Sequence, residues 1–176
     1  MNKKAYLHLI VFILALSFSC SAWAQDEGWL YASAIRESRA GNREFSFLHL
    51  NSLVRTYPES KYLENSLFAI GEYHFQDKNF ADAADAFSQL LEKFPDSRST
   101  VFAMAYLLKI AQERGAEGLA ASLEKAIATF HKLSLVFRNS KAFTYRSALR
   151  NKYKADYYID KVEFYKDGEL FAQVSY

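Results

Sequence analysis

Three stretches of this chain share an ending and the residues that lead up to it. In "TYPES" at 56–60, "KFPDS" at 93–97 and "VFRNS" at 136–140, an aromatic residue stands three before a serine. Counting back from Tyr57, Phe94 and Phe137, a leucine sits four earlier (Leu53, Leu90, Leu133), a large apolar residue seven earlier (Leu50, Phe87, Phe130) and a small one eleven earlier (Ser46, Ala83, Ala126). Offsets of four, seven and eleven lie on one face of an α-helix. The chain is therefore held to an array of like helical units, each closed in the same way. Pro58 and Pro95 follow the aromatic in the first two copies. Each removes a backbone N–H and restricts the residue before it, so the helix stops there. Ser60 is placed to cap the next helix, and Arg138 replaces the proline in the third copy.

A second apolar-periodic segment precedes each of these helices across a turn: 29–39 before Ala40-Gly41-Asn42, 62–76 before Asp77-Lys78-Asn79, and 99–114 before Gly115-Ala116. Two helices per unit, with closing aromatics 37 and then 43 residues apart, predict a mainly α, helical-hairpin solenoid of about three repeats over residues 25–140. The extra length of the third unit is expected around "ERGAEGLAAS", where Gly115 and Gly118 break and restart the chain.

The middle unit, "SLFAIGEYHFQDKNFADAADAFSQLLEKFPDS", resembles a tetratricopeptide repeat at Leu67, Ile70, Gly71, Phe80, Ala83, Phe87 and Pro95. His74 stands where an aromatic is usual and Leu90 where an alanine is. Glycine in a helix interior costs about 1 kcal/mol against alanine. The resemblance accounts for Gly71 by close approach of the paired helix, near Ala83 and Ala84. The spacing and the "YPES" and "FPDS" endings look most like the exported subset of these repeats, found in BamD-like outer-membrane assembly lipoproteins and in the C-terminal domain of CpoB-like, Tol-Pal-associated periplasmic proteins.

That resemblance implies a scaffold whose first helices line a groove for a protein or peptide partner in the cell envelope. By correspondence with the repeat, the groove side chains are Tyr31 and Ile35, then Asn65, Phe68, Glu72 and Gln76, then Phe102, Lys109 and Gln112. Phe68 is expected to be exposed for apolar contact, with Asn65, Glu72 and Lys109 fixing the partner's orientation.

The first residues read as an address. Lys3 and Lys4 precede an apolar run from Leu9 to Phe18, and Ala22-Trp23-Ala24 has the small-x-small pattern of a signal-peptidase site. Residues 1–24 are therefore expected to be a signal peptide cleaved after Ala24, making the protein periplasmic. Acylation at Cys20, as in an outer-membrane lipoprotein, is the alternative. In both cases the single cysteine lies outside the folded part, which has no internal disulfide to rely on. Cleavage removes two lysines and no acid, leaving 20 basic against 20 acidic residues. A formally neutral exported protein is a poor candidate for nucleic acid. Locally, Lys125 to Lys154 carries eight basic residues and no acidic one. It is read first as a solvated face, then as a contact for an acidic protein or for anionic headgroups in a peripheral membrane association.

Ser140 is placed to cap a further helix, with Ala142, Tyr145, Ala148, Leu149 and Tyr153 at helical spacing, so residues 141–156 are expected to form a capping helix. The period then changes to two in "DKVEFYKDGELFAQVSY", around Asp167-Gly168, which predicts a β-hairpin over 157–176. An isolated hairpin is marginal in water, so this one either packs on the solenoid or pairs with another chain's edge.

Chemistry-bearing constellations are missing from the pattern. His49, His74 and His131 have no metal-ligand spacing, there is no phosphate loop or nucleophile elbow, and the acidic pairs Asp82/Asp85 and Glu92/Asp96 read as solvated helix faces. No enzyme, cofactor or metal is expected. The function expected is a non-catalytic protein-interaction scaffold; the alternative is a structural subunit that associates through its C-terminal hairpin and basic helix.

Overall fold

The turn inside each helical pair is one turn built three times from different residues. Asn42, Asn79 and Ala116 each donate a backbone N–H to the carbonyl five residues back, at 2.9 Å in all three cases. Two residues into each turn the backbone is left-handed, at Gly41 (φ 83°), Lys78 (φ 58°) and Gly115 (φ 65°). Glycine adopts this conformation freely, whereas Lys78 does so against its Cβ. The computed structural model describes residues 26–138 and 142–176, apart from the side chains of 131–138. The signal-peptide and Cys20 expectations, and the cap at Ser140, fall outside the described residues.

The helices are α1 (Glu27–Ala40), α2 (Arg43–Thr56), α3 (Leu63–Gln76), α4 (Phe80–Lys93), α5 (Thr100–Glu113) and α6 (Glu117–Arg138). They pack as three antiparallel pairs, with each pair also touching the next through α2 and α3 and through α4 and α5. The proline-bearing links repeat as closely as the turns do. Tyr57 N–H donates to Leu53 O and Ser60 N–H to Tyr57 O; Phe94 N–H donates to Leu90 O and Ser97 N–H to Phe94 O. Ser60 is not the cap of α3. Its Oγ accepts from Tyr62 N–H at 3.1 Å and tightens the link, and α3 begins after Tyr62 without a side-chain cap.

The third unit's added length is not in its turn. α6 starts 37 residues after α4, in step with the repeat, and then runs for 22 residues where the other helices have 14. Gly118, expected to break the chain, is held inside its first turn.

Gly71 shows what the repeat demands of packing. A Cβ placed there would lie 2.7 Å from two carbons of the Phe87 ring, so the close neighbour is this aromatic of α4 and not Ala83 or Ala84. Phe87 is fully buried, stacked on Tyr106 and edge-on to Phe68, and has nowhere to go. Gly71→Ala is therefore expected to lower stability by about 1–2 kcal/mol in a urea melt, overpacking outweighing the gain in helix propensity.

The expected capping helix at 141–156 is replaced by strands. Four strands form an antiparallel meander in sequence order: β1 (Ala142–Arg146), β2 (Lys152–Tyr157), β3 (Lys161–Lys166) and β4 (Glu169–Ser175). The expected hairpin is its second half, turning at Asp167-Gly168 with left-handed backbone at both. β2 alternates strictly, burying Tyr153, Ala155 and Tyr157 while Lys152, Lys154 and Asp156 face outward. This period of two competes with the helical spacing of Tyr145, Ala148, Leu149 and Tyr153. Tertiary burial of the aromatic face decides between them.

Candidate functional site

The inner face of the sheet lies on the first helices of the second and third pairs. Phe68 of α3 has ring centroids 4.9 Å from Tyr145, 5.3 Å from Tyr153 and 6.0 Å from Tyr106, and it is fully buried. Phe102 meets Tyr153 and Phe164, while Tyr106 meets Phe171. Helices and sheet thus share one aromatic core.

A polar chain crosses that core. Tyr153 donates its hydroxyl to Glu72 Oε1, which also accepts from Asn151 Nδ2 at 2.6 Å. Because the Tyr153 proton is used there, the 2.6 Å bond between Tyr106 and Tyr153 must be donated by Tyr106, which in turn accepts from Lys166 Nζ at 3.1 Å. With Glu72 ionised, donor counting sets the order Lys166, Tyr106, Tyr153, Glu72. Glu72 is fully buried, and this desolvation pushes its carboxyl above the usual range, against the bonds from Asn151 and Tyr153 that favour the anion. Burial likewise pushes Tyr106 and Tyr153 up and Lys166 down. Glu72 Oε2 and Ser147 Oγ are buried without a hydrogen-bond partner, although Ser147 is near enough to favour the Glu72 anion slightly.

Five of the nine side chains expected to line a partner groove therefore meet the chain's own C-terminal strands or the turn between them. Asn65 accepts from the Tyr145 hydroxyl at 3.0 Å, Lys109 lies 5.4 Å from the Phe171 ring centroid, and Tyr31 and Ile35 pack on the cluster that holds Ala148. Phe68, expected to be exposed, and Glu72 and Phe102 are buried; Gln76 and Gln112 are exposed. The face was legible and its occupant was not. The helical spacing read from the sequence places Tyr153 on a helix and does not single out Asn151 or Lys166, although the alternation of Tyr153, Ala155 and Tyr157 is a strand signal. Of the repeat-packing residues, Leu67, Ile70, Gly71, Ala83 and Phe87 are buried, Phe80 is half-buried and Pro95 is exposed.

The outer face of the sheet carries an open concavity of about 630 Å³, lined by Thr144, Arg146, Lys152, Lys154, Asp156 and Tyr165 among others. Arg146 and Lys152 stand directly opposite each other on β1 and β2, and Thr144 and Tyr165 flank Lys154 on either side. Asp156 pairs with Lys154 at 2.7 Å. Glu163 accepts from Lys161 and from Tyr165, and the second bond pushes the phenol up to about 12. Among the described residues no cluster of His, Cys, Asp or Glu could hold a metal ion, and no helix is long and apolar enough to cross a membrane. His49 packs edge-on to Trp29, and His74 lies against Phe47 and Tyr73.

Residues 65–97 match the tetratricopeptide repeat family. The match covers α3 from residue 65, all of α4 and the closing link, the pair in which Gly71 meets Phe87. Tetratricopeptide repeats generally mediate protein–protein contacts and are typically non-catalytic, so an interaction scaffold is the functional class the match supports. No curated protein matches the chain.

Proposed function

We propose that this chain is a non-catalytic protein-interaction scaffold of the cell envelope, exported by residues 1–24 and serving the assembly of an envelope or outer-membrane complex. The observation that carries it is the tetratricopeptide pair at the centre of a three-pair stack. Export rests on the Lys3-Lys4, apolar and Ala22-x-Ala24 pattern of the sequence. The reading in which association runs through the C-terminal strands gains support from one feature. The first-helix face is filled from within, while the outer sheet face is open. The two readings merge if the helices carry the sheet and the sheet carries the partner.

Photo-crosslinking residues placed at Lys154, on the outer face, and at Gln112, on an exposed helical surface, test this in intact cells. A discrete protein adduct is expected from position 154 in the periplasmic or outer-membrane fraction. Recovery of the protein in the cytoplasm, or no adduct from either position, would sink the scaffold reading.

A further inference from the structure

We propose that the outer face of the C-terminal sheet is a docking site for an acidic, extended peptide segment, held by Arg146, Lys152 and Lys154 over a floor formed by Tyr165. The inference deepens the scaffold reading and rests on it, since it names the chemistry of the partner.

Charge arrangement carries it. Arg146 and Lys152 are directly opposed across β1 and β2, a juxtaposition of like charges that destabilises a sheet. Among the described residues neither has an acidic side chain within 4.0 Å. The described acids around this face make no ion pair with Arg146 or Lys152. Asp156 holds Lys154, Glu163 takes Lys161 and Tyr165, and Asp167 Oδ1 accepts the Lys152 backbone N–H at 2.8 Å. Two uncompensated cations thus face an open concavity of about 630 Å³, and carboxylates brought from outside would relieve their repulsion.

Shape favours an extended segment over a compact anion. The lining residues come from three adjacent strands, with Thr144, Lys154 and Tyr165 in one row across the sheet and Arg146 and Lys152 in the next row on the same face. Among the described residues β1 stands at the edge of the sheet, so the row that carries Arg146 borders that edge. The half-buried aromatic ring of Tyr165 supplies apolar contact between the charges.

The test uses the full exported chain and a short fluorescein-labelled poly-Glu peptide in an anisotropy titration, with a poly-Lys peptide as control. Saturable poly-Glu binding is expected, weakening with salt, and the Arg146→Glu plus Lys152→Glu variant should bind on the order of tenfold less tightly with unchanged circular dichroism. A Lys78→Glu variant, altered on a helical turn, should bind as the parent does. Equal poly-Glu binding by the double variant, or no binding by the parent, overturns the inference. So does binding to phosphatidylglycerol vesicles that the double variant loses while poly-Glu remains unbound, because the face would then read lipid. Poly-Glu failure alongside a crosslinked protein at position 154 would remove the acidic-segment inference and leave the scaffold reading standing.

Discussion

Phe68→Ala is expected to lower the unfolding free energy by about 3–5 kcal/mol, the range for emptying a buried phenylalanine site. The side chain is enclosed by Phe87 of α4, Tyr106 of α5, Tyr145 of β1 and Tyr153 of β2, so no single element can close the hole by shifting. Had Phe68 been a free groove residue, its truncation would stay within about 0.5 kcal/mol. The two outcomes are well separated in a urea titration. In a chain of this size the loss corresponds to a drop in Tm on the order of 10 °C. A coupling of about 0.5–1.5 kcal/mol between Phe68→Ala and Tyr145→Ala in a double-mutant cycle would locate part of the loss in the helix–sheet contact. A near-neutral Phe68→Ala would mean that the sheet does not rest on α3 in solution.

The helical part was readable because each constraint there is local and repeated. Leu50, Leu53, Phe87 and Leu90 recur at fixed offsets from an aromatic, and all four are fully buried. Gly71 announced a close contact, but the identity of the neighbour, Phe87, depends on how the two helices are turned. Residues 142–157 misled for a physical reason. Their apolar positions satisfy a helical period and a strand period at once, and nothing local chooses between them. The choice is made by partners up to about 80 residues away: Asn65 for Tyr145, Glu72 for Asn151 and Tyr153, Tyr106 for Lys166. For the same reason the repeat correspondence named residues of the first helices but not their burial under the sheet. Correspondence with a repeat shows which way a side chain points, and only the rest of the chain decides what it meets.

Glu72 is where that long-range choice is most costly to disturb. Glu72→Ala leaves the Asn151 amide and the Tyr153 hydroxyl without their acceptor inside the core. One buried and one half-buried unsatisfied donor at about 1–3 kcal/mol each put the expected loss at about 2–6 kcal/mol. Glu72→Gln behaves oppositely, because its amide oxygen still accepts both bonds and its NH₂ group meets Ser147, whose hydroxyl has no partner. The pH dependence separates the two roles of the carboxyl, acceptor and charge. Burial raises its pKa above 4.5, so the folded state holds the proton more tightly than the unfolded chain does. The corresponding stability is fully present below about pH 4.5 and is lost as pH rises through the folded pKa. Half-buried Glu37 and Glu163 have lowered pKa values and act in the other direction, with stability lost only as pH falls below 4.5. Lys166, lowered by burial, relieves its own penalty only toward the alkaline side, as pH approaches 10.5. Between these limits the falling limb belongs to Glu72. Urea midpoints measured across it should decline for the parent and stay flat for Glu72→Gln, which would then be the more stable protein at neutral pH. Parallel declines in the two proteins would show that the Glu72 charge is not buried against Tyr153 and Asn151, and would release the sheet from the helix face to which this bond ties it.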